Sequence, residues 1–158
     1  MTVSGVAPIH AALTHALRHD PTGPASFPFE NSKWLHEGFA PEKVPYPFVT
    51  ATPFPNSPFS YTWGSVMVLA RYDVVACSRN PVEAENLDGL IATALNDRAL
   101  QVAGQSTLIC RRVADLRNQD VDDEGKKVYL IGGTYEIVTD QPLPQTAVSS
   151  FTADAVIV

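Results

Sequence analysis

The feature that most limits what this chain can fold into is a stretch rich in proline and aromatic residues, residues 21–63. The stretch holds nine of the thirteen prolines and ten of the fourteen aromatic side chains of the 158-residue chain. Proline breaks helices and cannot donate a hydrogen bond inside a sheet, so most of this stretch is predicted to be an extended arm. Only residues 48–52, and as a second candidate residues 34–37, have the pattern of a strand.

The arm carries more large rings than two short helices and one small sheet can cover. Aromatic side chains on a stiff, extended backbone are typical anchors of protein–protein contacts. We therefore expect part of the arm to pack on neighbouring subunits, and the alternative is that it wraps around its own domain. The candidate interface residues are Trp34, Phe39, Tyr46, Phe48, Phe54, Phe59, Tyr61 and Trp63.

Regular patterns flank the arm. Apolar residues at helical spacing predict a helix over residues 7–18. Residues 66–77 alternate with a period of two, as a strand does. One face of this strand is apolar throughout, whereas the other is apolar only at Met67 and Leu69 and then becomes polar. The strand is therefore predicted to be buried on both faces at its start and on one face beyond it.

A second helix and a long hairpin follow. Asn80 suits the cap of a helix and Pro81 its first position, and a leucine-rich stripe extends this helix over residues 81–96. Two further strand patterns, joined by residues 121–125, predict a hairpin whose tip projects beyond the core. The glycine pair at residues 132–133 predicts a bulge or bend in its second strand.

The order of these elements predicts an α+β fold. Its parts are a mostly antiparallel β-sheet with two α-helices on one face, a long C-terminal β-hairpin and the extended arm. The length suits one domain, residues 1–140, with the arm inside it. Residues 141–158 are predicted to be a C-terminal extension, whose apolar end, AVIV, is a candidate for adding a strand to a neighbour's sheet edge.

Charge and composition exclude several classes of protein. A net charge of -6 and a pI near 5.0 argue against a protein that binds nucleic acid by neutralising phosphates. The sequence has neither an apolar run long enough to span a membrane nor the pattern of a signal peptide. Cys77 and Cys110 lie in apolar, strand-like runs, which predicts buried free thiols in a protein made in a reducing cytoplasm.

The motifs that would indicate catalysis or metal binding are absent or incomplete. Residues 120–125 resemble the start of a calcium loop, but the twelfth position, which needs a carboxylate, is Ile131. His15 and His19 are four residues apart, but no glutamate lies between them as in a zinc-protease helix. The sequence contains no phosphate-binding glycine loop. It therefore predicts no enzyme and no catalytic, cofactor-binding or metal site.

Two segments carry a resemblance to a known family. They are "VPYPFVTA" and "VMVLARYDVVACSRNPVEAENLDGLIATAL", in the order helix, short strand, long strand, helix, strand pair. This order resembles the tail-terminator (tail-completion) family of long-tailed bacteriophages and phage-derived gene transfer agents, over about residues 7–139. The chain departs from the family in the proline- and aromatic-rich insertion at residues 53–64 and in the tail after Gln141.

The resemblance implies a structural virion protein of the tail or neck, assembled in the host cytoplasm, with no cofactor and no membrane contact. It implies a homo-hexameric ring that caps the tail tube, ends its polymerisation and contacts the tail tube protein and the head-closure or neck protein. Genomic DNA would pass through the lumen without specific binding. An acidic lining would let the phosphate backbone slide. The candidates for such a lining are Asp120, Asp122, Asp123 and Glu124, although a solvated turn also explains them.

Three alternatives remain open at this stage. Another ring of the same connector, such as a head-closure or stopper protein, has similar requirements. A small cytoplasmic enzyme would use Cys77 or His36. An adaptor that binds proline-rich or β-strand ligands would use the arm without forming a ring.

Overall fold

The computed structural model describes residues 6–19, 34–38, 40, 43–54, 59–62, 65–102 and 106–142, which form two helices and six strands. The helices are α1 (Val6–His19) and α2 (Pro81–Leu95). The strands are β1 (Leu35–Glu37), β2 (Phe48–Pro53), β3 (Phe59–Thr62), β4 (Ser65–Ser78), β5 (Ser106–Val121) and β6 (Lys127–Pro142). No helix in these ranges is long and apolar enough to cross a membrane.

The start of α2 follows from its first residues. The Asn80 side chain accepts a hydrogen bond from the Val82 backbone N–H at 3.0 Å, and Pro81 occupies the first turn, where its missing N–H costs nothing. Glu83 places a negative charge at the positive end of the helix dipole. Both helices agree with the sequence prediction to within two residues.

The strands form one sheet in the order β1-β2-β4-β6-β5, and β3 pairs with the start of β4 beside β2. Neighbouring strands are antiparallel except β1 and β2, which are parallel. β4 and β6 pair without interruption, from Ser65 opposite Pro142 to Ser78 opposite Tyr129. This continuous central pair confirms the predicted α+β fold with a mostly antiparallel sheet.

Both helices pack on the same face of the sheet. Tyr72 in β4 and Tyr135 in β6 lie opposite each other, are almost fully buried, and meet the two helices. The His10 ring of α1 stacks on Tyr72 with ring centroids 5.7 Å apart, while Asp88 of α2 binds Arg112, which also contacts Tyr135. The core between helices and sheet contains Ile9, Leu13, Leu17, Val49, Val68, Val74, Leu87, Ile91, Leu95, Cys110 and Ile137.

A mostly buried ion pair fixes α2 to the hairpin. The Arg112 guanidinium donates to both carboxylate oxygens of Asp88, at 2.7 and 3.1 Å, and to the Gly132 carbonyl oxygen at 2.7 Å. The side chains of Arg112 and Asp88 are 17% and 16% exposed. Because the guanidinium binds both oxygens of the carboxylate, removal of Arg112 would leave the mostly buried Asp88 without its cation, whereas Arg112 also pairs with Asp115 at 2.7 Å.

The predicted bulge at the glycine pair is wrong. The pairing of β4 with β6 continues through Gly132 and Gly133, and the irregularities lie in β5, next to Ile109 and Ala114. The glycines are needed for a different reason. A Cβ on Gly132 would overlap the carbonyl group of Val74, and one on Gly133 would overlap the Arg112 guanidinium.

The structure shows how far the hairpin tip extends past β4, and its projection beyond the core stays a prediction. β4 accompanies β6 as far as Tyr129, so only two residues of β6 and the turn extend past it. Arg79, in the turn after β4, then binds Asp122 and Glu124 of the hairpin turn. The hairpin tip is therefore contacted by β4 and by the turn that follows β4.

Replacement of Gly132 by alanine should destabilise the fold. The added methyl group meets the β4 backbone, which cannot rotate away, and overpacking of this kind costs about 1–3 kcal/mol or more. Gly89→Ala is the matched control, because a Cβ there meets nothing within 4 Å and alanine favours the helix by about 1 kcal/mol. Urea unfolding of both variants measures the difference. Equal stability of Gly132→Ala and the wild type would contradict the close approach of β4 and β6.

Candidate assembly site

The structure describes four of the eight predicted interface side chains. Trp34 is 8% exposed and belongs to the core, and its carbonyl oxygen accepts the Val49 N–H at 2.7 Å. Trp34 thus closes its own domain, which is the alternative that the sequence left open for the arm. Tyr46 and Phe48 are half-buried, with ring centroids 5.3 Å apart, and Phe54 is 39% exposed.

The structure does not describe the side chains of the remaining four interface candidates. Phe59 and Tyr61 belong to β3, but their side chains lie outside the described part of the structure. Phe39 and Trp63 lie outside the described residues altogether. Their role at an interface stays a prediction.

Tyr46 belongs to a cluster that joins the arm to the hairpin turn. The Arg79 guanidinium lies 5.0 Å from the centre of the Tyr46 ring and binds the carboxylates of Asp122 at 2.7 Å and Glu124 at 3.2 Å. We call Tyr46, Arg79, Asp122 and Glu124 the tip cluster. The hydrogen bond from Arg79 to Asp122 raises the pKa of the guanidinium, and burial raises the pKa of the Tyr46 hydroxyl.

Asp122 holds the hairpin turn together. One of its carboxylate oxygens accepts the backbone N–H groups of Glu124 and Lys126, at 3.0 and 2.9 Å. The hydrogen bond from Lys126, and then the Arg79 side chain, lower the pKa of this carboxyl group below its usual value. Gly125 supplies the positive φ of the turn, +77°. The Asp122 carboxylate is therefore used within its own chain.

The other three predicted lumen residues are exposed. Asp120 accepts the N–H of Val121 at 2.8 Å, and Glu124 pairs with Arg79 and Lys126. Asp123 has no ion pair among the described residues. The structure therefore leaves Asp120, Asp123 and Glu124 accessible to a partner or to DNA, and whether they line a lumen stays a prediction.

A shallow hollow of about 600 Å³ lies beside the tip cluster. Its apolar side comes from the arm and its acidic side from the hairpin turn. The lining residues are Ala40, Lys43, Val44, Pro45, Tyr46, Phe48, Arg79, Asp122, Asp123 and Glu124. The hollow suits a chain segment that combines apolar and basic side chains. It contains neither a cysteine nor a histidine among its lining residues.

The face of the sheet opposite the helices carries apolar side chains that no helix or strand covers in the described ranges. Leu69, Val138 and Ile109 lie opposite one another on three neighbouring strands, and Met67 lies beside them. Ile109 is 37% exposed and the other three are half-buried. We call these four residues the open-face patch. The sequence predicted that both faces of β4 are buried at its start, whereas Met67 and Leu69 on the second face are only half-buried in the described structure.

A polar band bounds the open-face patch. Arg71 binds Glu136 at 3.0 Å, and the Thr134 hydroxyl donates to Asp73 at 2.7 Å. These pairs cross from β4 to β6 on the same face as the patch. The patch is therefore an isolated apolar surface at one end of the sheet.

The residues proposed for an enzyme are poorly suited to catalysis. Cys77 is 4% exposed, and burial raises the pKa of its thiol to about 12. Burial likewise raises the pKa of Cys110 to about 12. Since the thiolate is the reactive form, neither residue is an activated nucleophile at neutral pH. Within the described residues no group of three or more metal-ligating side chains occurs, and His36 packs edge-on against the Phe48 ring.

Both thiols should resist modification in the folded protein. At pH 7 to 8 we expect a disulfide reagent such as DTNB to label Cys77 and Cys110 only as the protein unfolds, because a thiol with a pKa of about 12 is almost entirely protonated. The labelling rate should therefore follow the unfolded fraction across a urea titration. Rapid labelling of either thiol in native buffer would show that it is accessible and ionised, and would revive the enzyme interpretation.

Comparisons with known proteins identify a shared fold. No protein-family model matches the chain, and no curated protein matches it. Among solved structures, the chain is similar to one from "Virion of native gene transfer agent (GTA) particle". The TM-score is 0.64 at 10% sequence identity, and the match covers 87% of this chain and 99% of the other. At this identity the two chains share their fold.

Proposed function

We propose that this protein is a structural component of a phage-like virion or gene transfer agent. In this proposal six copies form a ring at the head-proximal end of the tail tube. The ring ends tube polymerisation and joins the tail to the head-closure protein of the neck. The observation that carries the proposal is the fold, which matches a gene transfer agent virion chain over 99% of that chain's length.

The surfaces of the subunit support a role in assembly. The open-face patch leaves Ile109 and its three neighbours without a covering element in the described structure. The hollow beside the tip cluster is a second, separate surface of mixed apolar and acidic character. Contacts between two different surfaces of identical subunits generate rings when the rotation closes. Two unlike surfaces on one subunit therefore favour a ring over a two-fold dimer.

The proposed partners follow from this arrangement. Copies of the chain would contact one another through the open-face patch and through exposed arm rings, with Tyr46, Phe48 and Phe54 as described candidates. The tail tube protein would bind one end of the ring and the neck protein the other. Among the acidic candidates we assign the lumen to Asp120, Asp123 and Glu124, because Asp122 binds within its own turn. Their negative charge would repel the DNA backbone and leave it free to slide.

The proposal predicts a particle of about six times the 17.1 kDa mass of the chain. Multi-angle light scattering over a wide concentration range measures this mass, alone and in the presence of tail tubes. Negative-stain microscopy should then show a collar on one end of each tube, and added protein should stop the tubes from growing.

Two results would contradict this role. A ring that binds head-closure components but never the end of a tube would identify a stopper or other neck ring instead. A protein that stays monomeric and leaves tube growth unchanged at every concentration would not be a terminator.

A further inference from the structure

The described chain ends beside the open-face patch. Pro142, the last residue of β6, lies opposite Ser65, and Asp140 lies opposite Met67 of the patch. Val138, two residues earlier on β6, belongs to the patch itself. Residues 143–158 therefore begin at the edge of an apolar surface that no described element covers.

We propose that residues 143–158 of a neighbouring copy bind across the open-face patch. This inference rests on the proposed ring and identifies the surface that links its subunits. Each copy would give its C-terminal segment to one neighbour and receive that of another. Because donor and acceptor surfaces differ, the exchange is directional, and directional contacts between identical subunits form a ring when the rotation between neighbours closes.

The composition of the segment suits the patch. Residues 143–158 read LPQTAVSSFTADAVIV, with Asp154 as the only charged side chain. The patch is apolar and ends at the band formed by Arg71 and Glu136. Apart from Asp154, the side chains of the segment are uncharged, so apolar and small polar residues are available to cover Leu69, Ile109 and Val138. Sixteen extended residues reach roughly 50 Å at about 3.3 Å per residue, which is enough to cross to an adjacent subunit.

The start of the segment favours a neighbour over its own sheet. Pro142 and Pro144 bias the residues before them, Gln141 and Leu143, towards extended backbone. Extended backbone at these two positions would carry the segment onward in the direction of β6, away from the patch residues that precede it on that strand. To cover its own patch, the segment would have to reverse direction directly after the prolines.

The outer edge of β5 is a less suitable binding site for this segment. The Cys110 carbonyl oxygen accepts the Asp97 N–H at 2.8 Å, and the Arg112 N–H donates to Asn96 at 2.9 Å. Further along the edge, the Gln119 and Val121 N–H groups donate to the side chains of Asn118 and Asp120. Much of the backbone that an added strand would need is already paired.

Cross-linking between two full-length variants tests the inference. One variant carries Ile109→Cys in the patch, the other carries Ala155→Cys in the segment, and the two bear different affinity tags. A bismaleimide reagent with a flexible spacer then joins thiols without requiring one register. The native Cys77 and Cys110 should not compete, because both are buried. We expect a covalent dimer that contains both tags.

A matched control replaces Ile109→Cys by Val121→Cys. Val121 is also exposed and apolar, at 59%, but lies at the other end of β5, about 40 Å away at about 3.3 Å per residue. Val121→Cys combined with Ala155→Cys should give several-fold less covalent dimer with both tags than Ile109→Cys combined with Ala155→Cys. Equal yields from the two positions, or no mixed dimer from either, would overturn the inference.

A third variant shows whether the segment that covers a patch comes from the same chain or from a neighbouring copy. A chain with both Ile109→Cys and Ala155→Cys, cross-linked in excess wild type, should stay mostly unlinked, because its neighbours are then wild-type copies without the engineered thiols. Closure of the double variant to a fast-migrating monomer would place the segment on its own sheet and overturn the inference.

The ring proposal is tested separately by Ile157→Asp in the full chain. If this variant still forms rings that cap tubes, the exchange of segments is wrong and the ring proposal stands. If the Ile109→Cys and Ala155→Cys variants cross-link but the wild type never caps tubes, the exchange is correct and the terminator proposal fails.

Discussion

The arrangement on which the rest depends is that both helices pack on the same face of a sheet whose centre is the continuous β4–β6 pair. Tyr72 and Tyr135 lie opposite each other on the helical face and give α1 and α2 a common surface. Close approach of the two strands requires glycine at position 132, and the Arg112–Asp88 ion pair holds α2 against the neighbouring strand. With both helices on one side, no described helix or strand covers the apolar residues at the start of β4 on the other side. The same arrangement that completes the core therefore leaves the open-face patch.

Much of this fold could be predicted from the sequence because the main elements have strong local signals. The Asn80–Pro81 start of α2, the period of two in β4 and the apolar stripe of α1 each correspond to a regular backbone. The glycine pair was misread as a bulge because its cause, the position of the Val74 carbonyl, exists only once β4 lies beside β6. The roles of Arg112 and Arg79 could not be predicted either, since their carboxylate partners Asp88 and Asp122 lie 24 and 43 residues away in the chain.

The candidate site was predicted only in part, for a similar reason. The aromatic content of the arm indicated contact surfaces, but not that Trp34 would turn inward while Phe54 stays exposed. The acidic run at the hairpin turn was recognised, but the use of Asp122 by its own backbone depends on turn geometry. In contrast, Met67 and Leu69 were recognised from the sequence as a second apolar face of β4 that was expected to be buried. The proposed ring, in which neighbours would cover this face, is consistent with the fold likeness to a gene transfer agent virion chain and with the open-face patch.

The central claim is that the face opposite the helices becomes covered when copies assemble. Sedimentation velocity of Leu69→Asp, compared with Val82→Asp, tests it most directly, with circular dichroism to confirm that both variants fold. Leu69 lies in the open-face patch, whereas Val82 is 61% exposed in the first turn of α2, where an acidic residue suits the helix dipole. The account predicts that the wild type and Val82→Asp sediment as rings and that folded Leu69→Asp sediments as single subunits. Ring formation by Leu69→Asp at the wild-type concentration would contradict it.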